Sequence, residues 1–443
     1  MAQALADETA PALAPTGLFK RRYVLAAVMG NALEFYDFIT YAFFAIQIGH
    51  AFFPSRSGFL SLMLSLATFG AGFLTRPIGG LVLGAYADKV GRRPAMMLSY
   101  VLMGVSITAL ALIPTYRSIG LLAPVLAVTA RLVQGFSLGG EVGSNTAFLL
   151  EAARPNRRGL IVAWQGASQE IAATCGSLMG LALAALLPSA ALDAYGWRIA
   201  FLLGALTVPF GLMLRRAMPE TLHAPDLDPA PAASGPPGPA ALRIARLGLM
   251  ILGGGTIATY VLDYMTTFAQ SSLHLSARVG FTSTLGVNVI GVFAILAGGW
   301  ASDRWGRRPM MIGPQILFAL AALPVFLLIG HLRSPWIVIA GPTFLSALTN
   351  FAGGAYYVAM CESLPKAVRG RAFALTYAIA IAVFGGTAQP MVTWLIQATG
   401  RPEAAGGFLL FGALMTLTGL CLMRESAPVR RMIPAAVAVA VAA

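Results

Sequence analysis

Long apolar runs separated by short polar segments occupy most of the chain. A transmembrane helix needs about 20 mainly apolar residues, and twelve runs reach roughly that length. They lie near residues 23–49, 58–86, 95–114, 119–149, 159–187, 197–216, 242–270, 279–302, 310–331, 335–361, 371–397 and 405–423. The runs are too long, and alternate too little, for the strands of a membrane barrel. The pattern therefore predicts an all-α membrane protein with twelve transmembrane helices.

A segment rich in Pro, Ala and Gly divides the twelve runs into two sets of six. We expect a terminal segment at 1–22, six-helix bundles at 23–216 and 242–424, a flexible linker at 217–241, and a tail at 425–443. An internal repeat supports this division, because Gly-Arg-Arg-Pro occurs at 91–94 and again at 306–309, at an offset of 215. Two equivalent half-bundles are typical of secondary transporters.

The composition narrows the class of protein further. Only 11% of the residues are charged and 58% are hydrophobic, whereas soluble domains carry about 25% charged residues. This balance excludes a soluble enzyme, a DNA-binding protein and a secreted disulfide scaffold. The three cysteines lie singly in apolar runs, so we expect neither a disulfide framework nor a metal site.

The net charge of +13 is explained by where the basic residues lie relative to the membrane. With both termini and the linker on one side, the segments of that side hold 22 of the 30 Lys and Arg residues, and the opposite loops hold six. Loops rich in Lys and Arg stay in the cytoplasm. We therefore expect both termini to be cytoplasmic, and nucleic acid is not an expected partner.

Ionisable side chains inside the apolar runs are the candidates for transport chemistry, because a charge in the bilayer is costly. In the first run, one helical face carries Asn31, Glu34, Asp37, Phe38 and Tyr41. Two carboxylates one turn apart raise each other's affinity for protons. Glu34 and Asp37 are therefore predicted to carry the proton, with a locked ion pair to an arginine as the alternative. Asn31 and Tyr41 are predicted to contact substrate.

Two arginines lie inside the first half of the chain. Arg131 shares a helical face with Gln134 and Glu141 in the fourth run. A guanidinium is a permanently charged fork that matches a carboxylate, so Arg131 and Gln134 are predicted to bind an anionic substrate and Glu141 to take part in proton coupling. The alternative for Arg131 is a permanent ion pair with an acid of the first run. Arg76 is either a second anion site or part of a gate.

Further polar residues in the runs complete the predicted site. Gln165 and Gln169 share one helical face, while Glu170 points about 100° away. The amides are assigned to substrate and Glu170 to proton coupling, with hydrogen bonding between helices as the alternative. In the second half, Asn288 and Asn350 are the predicted substrate contacts. Near the end of its run, Asp263 is expected at a gate or a wetted surface.

The repeated loops are predicted to act as gates between conformations. The carboxylate of each loop can pair with a neighbouring helix terminus, and its arginines with acids such as Glu151 or Glu362. Such clusters close one side of a transporter when the other side opens. The predicted gating residues are Asp88, Arg92, Arg93, Asp303, Arg307 and Arg308.

These motifs resemble a known family. The paired loops, with "RLVQG" at 131–135, are similar to the major facilitator superfamily. The segments "GNALEFYDF" (30–38), "RPIGGLVLGAYADKVGRR" (76–93), "AWQGASQE" (163–170) and "GWRIAFLLG" (196–204) resemble its metabolite:proton symporters, nearest to the bacterial citrate–proton symporters.

The resemblance implies two six-helix bundles around a central cavity, proton-coupled uptake across the bacterial inner membrane, and family roles for Asp37, Arg76, Arg131 and Gln169. One departure concerns Glu170, since a second amide is expected there in the citrate carriers. An extra carboxylate at this position could change the proton stoichiometry or the acid that is accepted.

The sequence thus predicts a symporter that imports a small organic acid, citrate or another tricarboxylate, together with protons. It is expected to work as a monomer in the lipid bilayer, with no cofactor other than the coupling proton and no catalytic residues. Alternatives are a symporter for a dicarboxylate, a keto acid or a shikimate-like acid, and a drug-efflux antiporter, which would favour an apolar aromatic cavity. A membrane receptor would need a signalling domain.

Overall fold

A computed structural model describes residues 17–139, 141–216, 239–365 and 369–428, and within these residues there is no strand. Most of the predicted linker and the tail beyond residue 428 lie outside this part. The twelve predicted spans are present as helices, several of them interrupted at one or two residues.

The first half contains α1 (Gly17–Phe43 and Ala45–Phe52), α2 (Gly58–Leu74 and Arg76–Val90), α3 (Arg92–Leu112), α4 (Leu122–Leu138 and Glu141–Ala152), α5 (Arg158–Leu186) and α6 (Trp197–Ala205 and Thr207–Arg216). The second half contains α7 (Pro239–Asp263 and Met265–Ser271), α8 (Ala277–Trp305), α9 (Arg307–Leu332), α10 (Pro335–Gly353 and Tyr356–Ser363), α11 (Arg369–Ala380 and Gly386–Thr399, joined by the π-turn Ile381–Gly385) and α12 (Ala404–Leu422). Since α7 begins at Pro239, it starts three residues inside the predicted linker.

Length and hydropathy agree with a membrane protein. Among the described residues, nine helices are long and apolar enough to cross a bilayer. The other three predicted spans are α1, α4 and α6, which are either split into shorter pieces or carry several charged residues.

The sequence repeat is also a structural repeat. The first segment of α4 ends at Leu138, and the first segment of α10 ends at Gly353, again at an offset of 215. The tight connections α2–α3 and α8–α9 pass through Gly91 and Gly306, whose φ angles are +116° and +97°. Only glycine adopts such angles without strain, so the glycine of each repeated loop is required by its turn.

The two halves meet along two seams, α5 against α8 and α2 against α11. We call the end that carries the loops 91–94 and 306–309 the motif end, and the opposite end the far end. A Cβ atom on Gly70 of α2 would lie 2.2 Å from the carbonyl oxygen of Gly386 of α11, so this seam requires backbones in close contact. At the far end of the other seam, Arg278 Nε donates to the carbonyl of Ala184 at 3.0 Å.

Two cavities lie between the halves. The central cavity, of about 90 Å³, is enclosed by α1, α5, α7, α8, α10 and α11. The vestibule, of about 600 Å³, lies at the far end between the start of α2, the end of α7 and the end of α11. A water molecule needs at least 10–15 Å³ of such volume, so the central cavity admits several waters, and the vestibule admits a much larger solute.

Candidate functional site

The central cavity is lined by both halves and is more polar than its surroundings. Its apolar wall comes from Phe35 and Ile39 of α1. Its polar groups come from Gln169 and Glu170 of α5, Thr256, Thr259, Tyr260 and Asp263 of α7, Thr349, Asn350, Tyr356 and Tyr357 of α10, and Tyr377 of α11. Three predicted site residues, Gln169, Glu170 and Asn350, therefore lie together in one cavity.

Glu170 crosses from the first half towards the second. A Cβ atom on Gly291 of α8 would lie 2.4 Å from Glu170 Oε2 and 2.9 Å from Asn350 Nδ2. The glycine therefore provides the space that the carboxylate and the amide occupy. Glu170 Oε2 has no hydrogen-bond partner among the described residues, while Asn350 Nδ2 donates to Ser346 Oγ at 3.0 Å.

Asp263 is a cavity residue that the sequence reading missed. It was expected at a gate or a wetted surface, but its side chain is only 3% exposed and lines the central cavity. Asp263 was expected near the outer end of the span because the span was treated as one continuous helix. In the structure, the first segment of α7 ends at Asp263. A usable signal is present in the sequence, because Tyr260 and Asp263 are three residues apart and so share a helical face.

Arg131 is completely buried inside the first half. Its Nη1 donates to Gln134 Oε1, and its Nη2 donates to the carbonyl of Phe69 at 3.4 Å. The guanidinium carbon lies 4.3 Å from the ring centre of Phe38 and 4.6 Å from that of Tyr41. Such contacts favour a buried cation. The ion pair with Asp37 that was weighed as the alternative is absent among the described residues.

Arg76 faces the same aromatic ring. Its guanidinium carbon lies 4.4 Å from the centre of Phe38 and 4.7 Å from that of Phe73, and its side chain interacts with Tyr377. Arg76 is 2% exposed, and its Nε and Nη2 have no hydrogen-bond partner among the described residues. Phe38 is therefore a shared platform for the two buried guanidinium groups.

Neither arginine lines the central cavity: Arg131 lies behind a layer of rings, whereas Arg76 reaches the cavity-lining Tyr377. This aromatic layer consists of Phe35, Phe38, Phe69, Phe73 and Tyr260. The ring of Tyr260 lies 5.9 Å from Phe69 and 5.3 Å from Phe73, so the layer joins α2 of the first half to α7 of the second. Only Phe35 and Tyr260 of this layer line the cavity. The predicted contact of Arg131 with a substrate therefore requires the layer to move, and that of Arg76 requires Tyr377 to move aside.

Other predicted substrate contacts are engaged in helix packing. Gln165 Nε2 donates to Asn31 Oδ1 at 2.9 Å, and Asn31 Nδ2 donates to Ser168 Oγ at 2.6 Å. These bonds join α1 to α5 outside the central cavity, which is the alternative weighed for the amides. Asn288 is also buried away from the cavity lining, with its Nδ2 unpaired among the described residues.

The acids of α1 lie outside the central cavity. Asp37 is fully buried, and neither of its carboxylate oxygens has a hydrogen-bond partner among the described residues. A Cβ atom on Gly204 of α6 would lie 2.2 Å from Asp37 Oδ1, so the carboxylate occupies a notch in its own half. Glu34 is buried too and does not line the cavity. The side chains of Glu141, Asp88, Arg92 and Arg93 lie outside the described part of the chain.

At the motif end, Asp303 of α8 clamps the two halves together. Its Oδ1 accepts the backbone N–H of Gly159 at 2.8 Å, and its Oδ2 accepts that of Leu160 at 2.9 Å. Both donors are in the first turn of α5, where N–H groups have no partner within the helix. Arg307 Nη1 lies 2.7 Å from Asp303 Oδ1, and Arg307 Nη2 lies 3.1 Å from Glu362 Oε1. The contacts are of the kind predicted for this loop.

A second carboxylate makes the same kind of cap within one half. Glu425, after α12, accepts the backbone N–H of Arg307 at 2.9 Å and of Arg308 at 3.0 Å. Burial alone would raise the pKa of Glu425, but backbone donors, those of Ala427, Arg307, Arg308 and Ser426, lower it below its usual value. Arg308 Nη2 also donates to the carbonyl of Cys421 at 3.0 Å.

At the far end, the vestibule is bordered by an exposed ion pair. His50 Nδ1 lies 2.9 Å from Asp193 Oδ1, and both side chains are about half exposed. The hydrogen bond to Asp193 raises the pKa of His50 above 6.5. His274 and Arg333 also line the vestibule, so this entrance is rich in basic side chains.

Comparison with known proteins agrees with this architecture. The profile of the family described as "Sugar (and other) transporter" matches residues 23–223. The citrate-proton symporter of Klebsiella pneumoniae is 39% identical over 95% of this chain and 96% of its own length. That of Salmonella typhi is 35% identical over 93% of this chain and 95% of its own length.

The likeness extends to solved structures. The major facilitator superfamily proton:xylose symporter XylE, bound to 6-bromo-6-deoxy-D-glucose, superposes with a TM-score of 0.74 at 17% identity, over 92% of this chain and 96% of that chain. This likeness shows the fold. Together with the relatives above, it shows that the chain is a multi-pass bacterial membrane protein of the major facilitator superfamily and belongs to its metabolite:proton symporter family.

Proposed function

We propose that the protein is a secondary active transporter that imports a small organic acid, citrate or another tricarboxylate, together with protons. One observation carries the proposal: two buried arginines, Arg131 and Arg76, face one ring near the seam between the halves and form no ion pair among the described residues. A buried guanidinium without a counter-charge favours an anion. The citrate-proton symporters named above, at up to 39% identity, suggest which anion.

The motif end is assigned to the cytoplasm. The bias of Lys and Arg towards its loops and towards both termini supports this orientation. The vestibule then faces the outside of the inner membrane, and its basic side chains His50, His274 and Arg333 suit the approach of an acid. No cofactor is required besides the proton, and one chain with its two halves supplies the whole pathway.

The transport cycle follows from the two seams and the aromatic layer. Substrate enters by the vestibule, and displacement of the rings of Phe69, Phe73 and Tyr260 gives its carboxylates access to Arg131 and Arg76. Gln169 and Asn350 offer neutral hydrogen-bonding groups to the rest of the ligand. Release of the Asp303 clamp then opens the motif end. The change from the state open at the far end to the state open at the motif end is a rocking of one half against the other, as in alternating access.

Buried carboxylates are proposed to carry the protons. Asp37 and Glu170 are buried, and carboxylate oxygens of both have no hydrogen-bond partner among the described residues, so the ionised form is several kcal/mol less stable there than in water. Binding of a proton removes that cost. Protonation therefore favours the conformation in which the carboxyl group is buried, and this links proton binding to the conformational change. Glu34, which is also buried, is the third proposed carrier. A neutral Asp37 in the notch beside Gly204 fits this role, because neither oxygen has a hydrogen-bond partner among the described residues.

Two other transport functions are less well supported. A symporter for a dicarboxylate or keto acid would use the same arginines, and only the choice of substrate separates it from the proposal. A drug-efflux antiporter would favour an apolar aromatic cavity. The cavity here does contain four tyrosines, but Glu170 and Asp263 lie among them.

The test is counterflow in proteoliposomes. Purified protein is reconstituted with internal unlabelled citrate, and entry of radiolabelled citrate, ketoglutarate and shikimate is compared. We expect citrate to exchange fastest. The matched variant Arg131→Lys keeps the charge but loses the planar fork, so the KM for citrate should rise at least about tenfold. Absence of citrate exchange by the wild type, or an unchanged KM in the variant, would contradict the proposal.

A further inference from the structure

The central cavity holds one carboxyl group from each half of the protein. Glu170 belongs to α5 of the first half and Asp263 to α7 of the second, and they are 9% and 3% exposed. Both line the same cavity of about 90 Å³, and the two groups interact electrostatically. In this conformation, therefore, the two halves each place one carboxyl group in the same cavity.

No described basic side chain lines the cavity to balance these acids. The groups that face them are the hydroxyls of Tyr260, Tyr356, Tyr357 and Tyr377 and the amides of Gln169 and Asn350, together with several threonines. Arg131 stands behind the aromatic layer and Arg76 contacts the cavity-lining Tyr377, and both act on Tyr260 electrostatically. Hydroxyls and amides can donate hydrogen bonds to a carboxylate, but they add no positive charge.

Two buried carboxylates that line one small cavity cannot both be ionised without strong repulsion. Like charges in a shared low-dielectric site retain one proton between them, and the two groups then titrate as a pair. The repulsion falls when the halves move apart, because the groups separate and water enters. The energy of closing the cavity therefore depends on whether the pair holds a proton.

We propose that Glu170 and Asp263 share a single proton across the seam, and that this shared proton is required for the two halves to close around the bound acid. The proton is taken from water at the far end, forming an O–H bond on one carboxyl while the other stays ionised. When the motif end opens, that O–H bond breaks, the proton passes to water on that side, and both groups are ionised again. The inference rests on the proposed proton symport and assigns one coupled proton to this pair.

Glu170 adds a second titratable group to the cavity that Asp263 lines. An amide at position 170, opposite Asp263, would leave a single carboxylate with no like charge to repel. The coupling ratio should then change when Glu170 is replaced by an amide.

The test measures the proton-to-citrate ratio in Glu170→Gln, Asp263→Asn and the double variant. Proteoliposomes are given a known pH gradient without membrane potential, and the steady-state accumulation of labelled citrate is recorded. Loss of one coupled proton lowers accumulation about tenfold for each pH unit of gradient, since a tenfold activity ratio is a tenfold factor in the equilibrium. Each single variant and the double variant should all lose the same one proton, because either change removes the repulsion.

The alternatives give different results. Two independent proton sites would make the losses add in the double variant, and that outcome overturns the shared proton. An unchanged ratio in both single variants overturns it as well, and accumulation that follows a sodium gradient instead of the pH gradient would assign the pair to a metal cation. Glu403→Gln, at a partly buried acid outside the cavity lining, is the control and should keep the wild-type ratio.

Counterflow separates this inference from the proposed function. Exchange of labelled for unlabelled citrate needs no net proton movement, so the variants should still exchange. We expect exchange by the wild type to decline with rising pH, and exchange by the variants to lose that decline. If the wild type exchanges only another acid, the same ratio is measured with that acid. If Glu170→Gln does not assemble, Asp263→Asn gives the same readout from the other half.

Discussion

The clamp at the motif end gives the sharpest mechanical prediction. Replacement of Asp303 by Ala removes two acceptors from the first turn of α5, a helix of the other half. Caps of this kind contribute about 0.5–2 kcal/mol. The bond between Asp303 and Arg307 lies within one half, so its loss affects folding and leaves the balance between conformations largely unchanged.

The change in free energy between the two conformations therefore comes from the loss of the two hydrogen bonds to α5 alone. A loss of about 1–2 kcal/mol corresponds to about a 5–30-fold shift towards the state that is open at the motif end. Cys361 can report this shift, because it is completely buried in α10 and interacts electrostatically with Glu151 and Arg369 at the motif end. With the two exposed cysteines replaced, the labelling rate of Cys361 by a maleimide measures the open population.

Glu425→Ala is the matched control for this experiment. It also removes two backbone N–H bonds at the start of a helix, but donors and acceptor belong to the same half. We expect Asp303→Ala to raise the labelling rate by about the shift given above. The control should lower the melting temperature without raising the labelling rate. Equal labelling of Asp303→Ala and wild type, or an equal rise in both variants, would refute the reasoning.

Three further predictions concern close contacts and pH. Gly159→Val should speed the labelling of Cys361, because a Cβ atom there would lie 2.4 Å from a backbone oxygen of α8 and hold the seam apart. Gly313→Val is its control, since a Cβ atom there would meet nothing within 4 Å. Gly204→Ala should lower the free energy of unfolding by about 1–3 kcal/mol, as is typical of overpacking, and so lower the melting temperature, since a Cβ atom there would lie 2.2 Å from a buried carboxylate oxygen. The pairing of His50 with Asp193 raises the pKa of His50, so its stabilisation is complete below pH 6.5 and is lost as the pH rises through the raised pKa; Asp193→Asn should abolish that pH dependence of the melting temperature.

The architecture could be predicted from the sequence because it depends on patterns local to the chain. Twelve apolar runs gave twelve helical spans, and the repeat at an offset of 215 reappears where the first segments of α4 and α10 end, at Leu138 and Gly353. The positions of polar and ionisable residues inside apolar runs also selected Gln169, Glu170 and Asn350, which share the central cavity. Polar and charged side chains are energetically costly in the bilayer, so their presence in an apolar run points to a functional position even when the fold is unknown.

The arrangement around the cavity could not be predicted, because it depends on which neighbour each helical face meets. A helical wheel grouped Asn31 with Asp37, but the first binds α5 and the second occupies a notch against α6. The cavity is instead reached by Phe35 and Ile39 of the same helix. Likewise, nothing in the sequence shows that rings cover the arginines in this conformation, or that α7 breaks at Asp263.

The most direct test of the account is citrate-induced proton movement. Wild-type proteoliposomes without a membrane potential are mixed with citrate, and the pH of a weakly buffered outer solution is recorded beside that of Arg131→Lys. The account predicts that citrate makes the outer solution more alkaline as protons enter with it, and that the variant requires a higher citrate concentration for the same rate. Citrate entry without alkalinisation, or alkalinisation that does not depend on citrate, would contradict proton-coupled import.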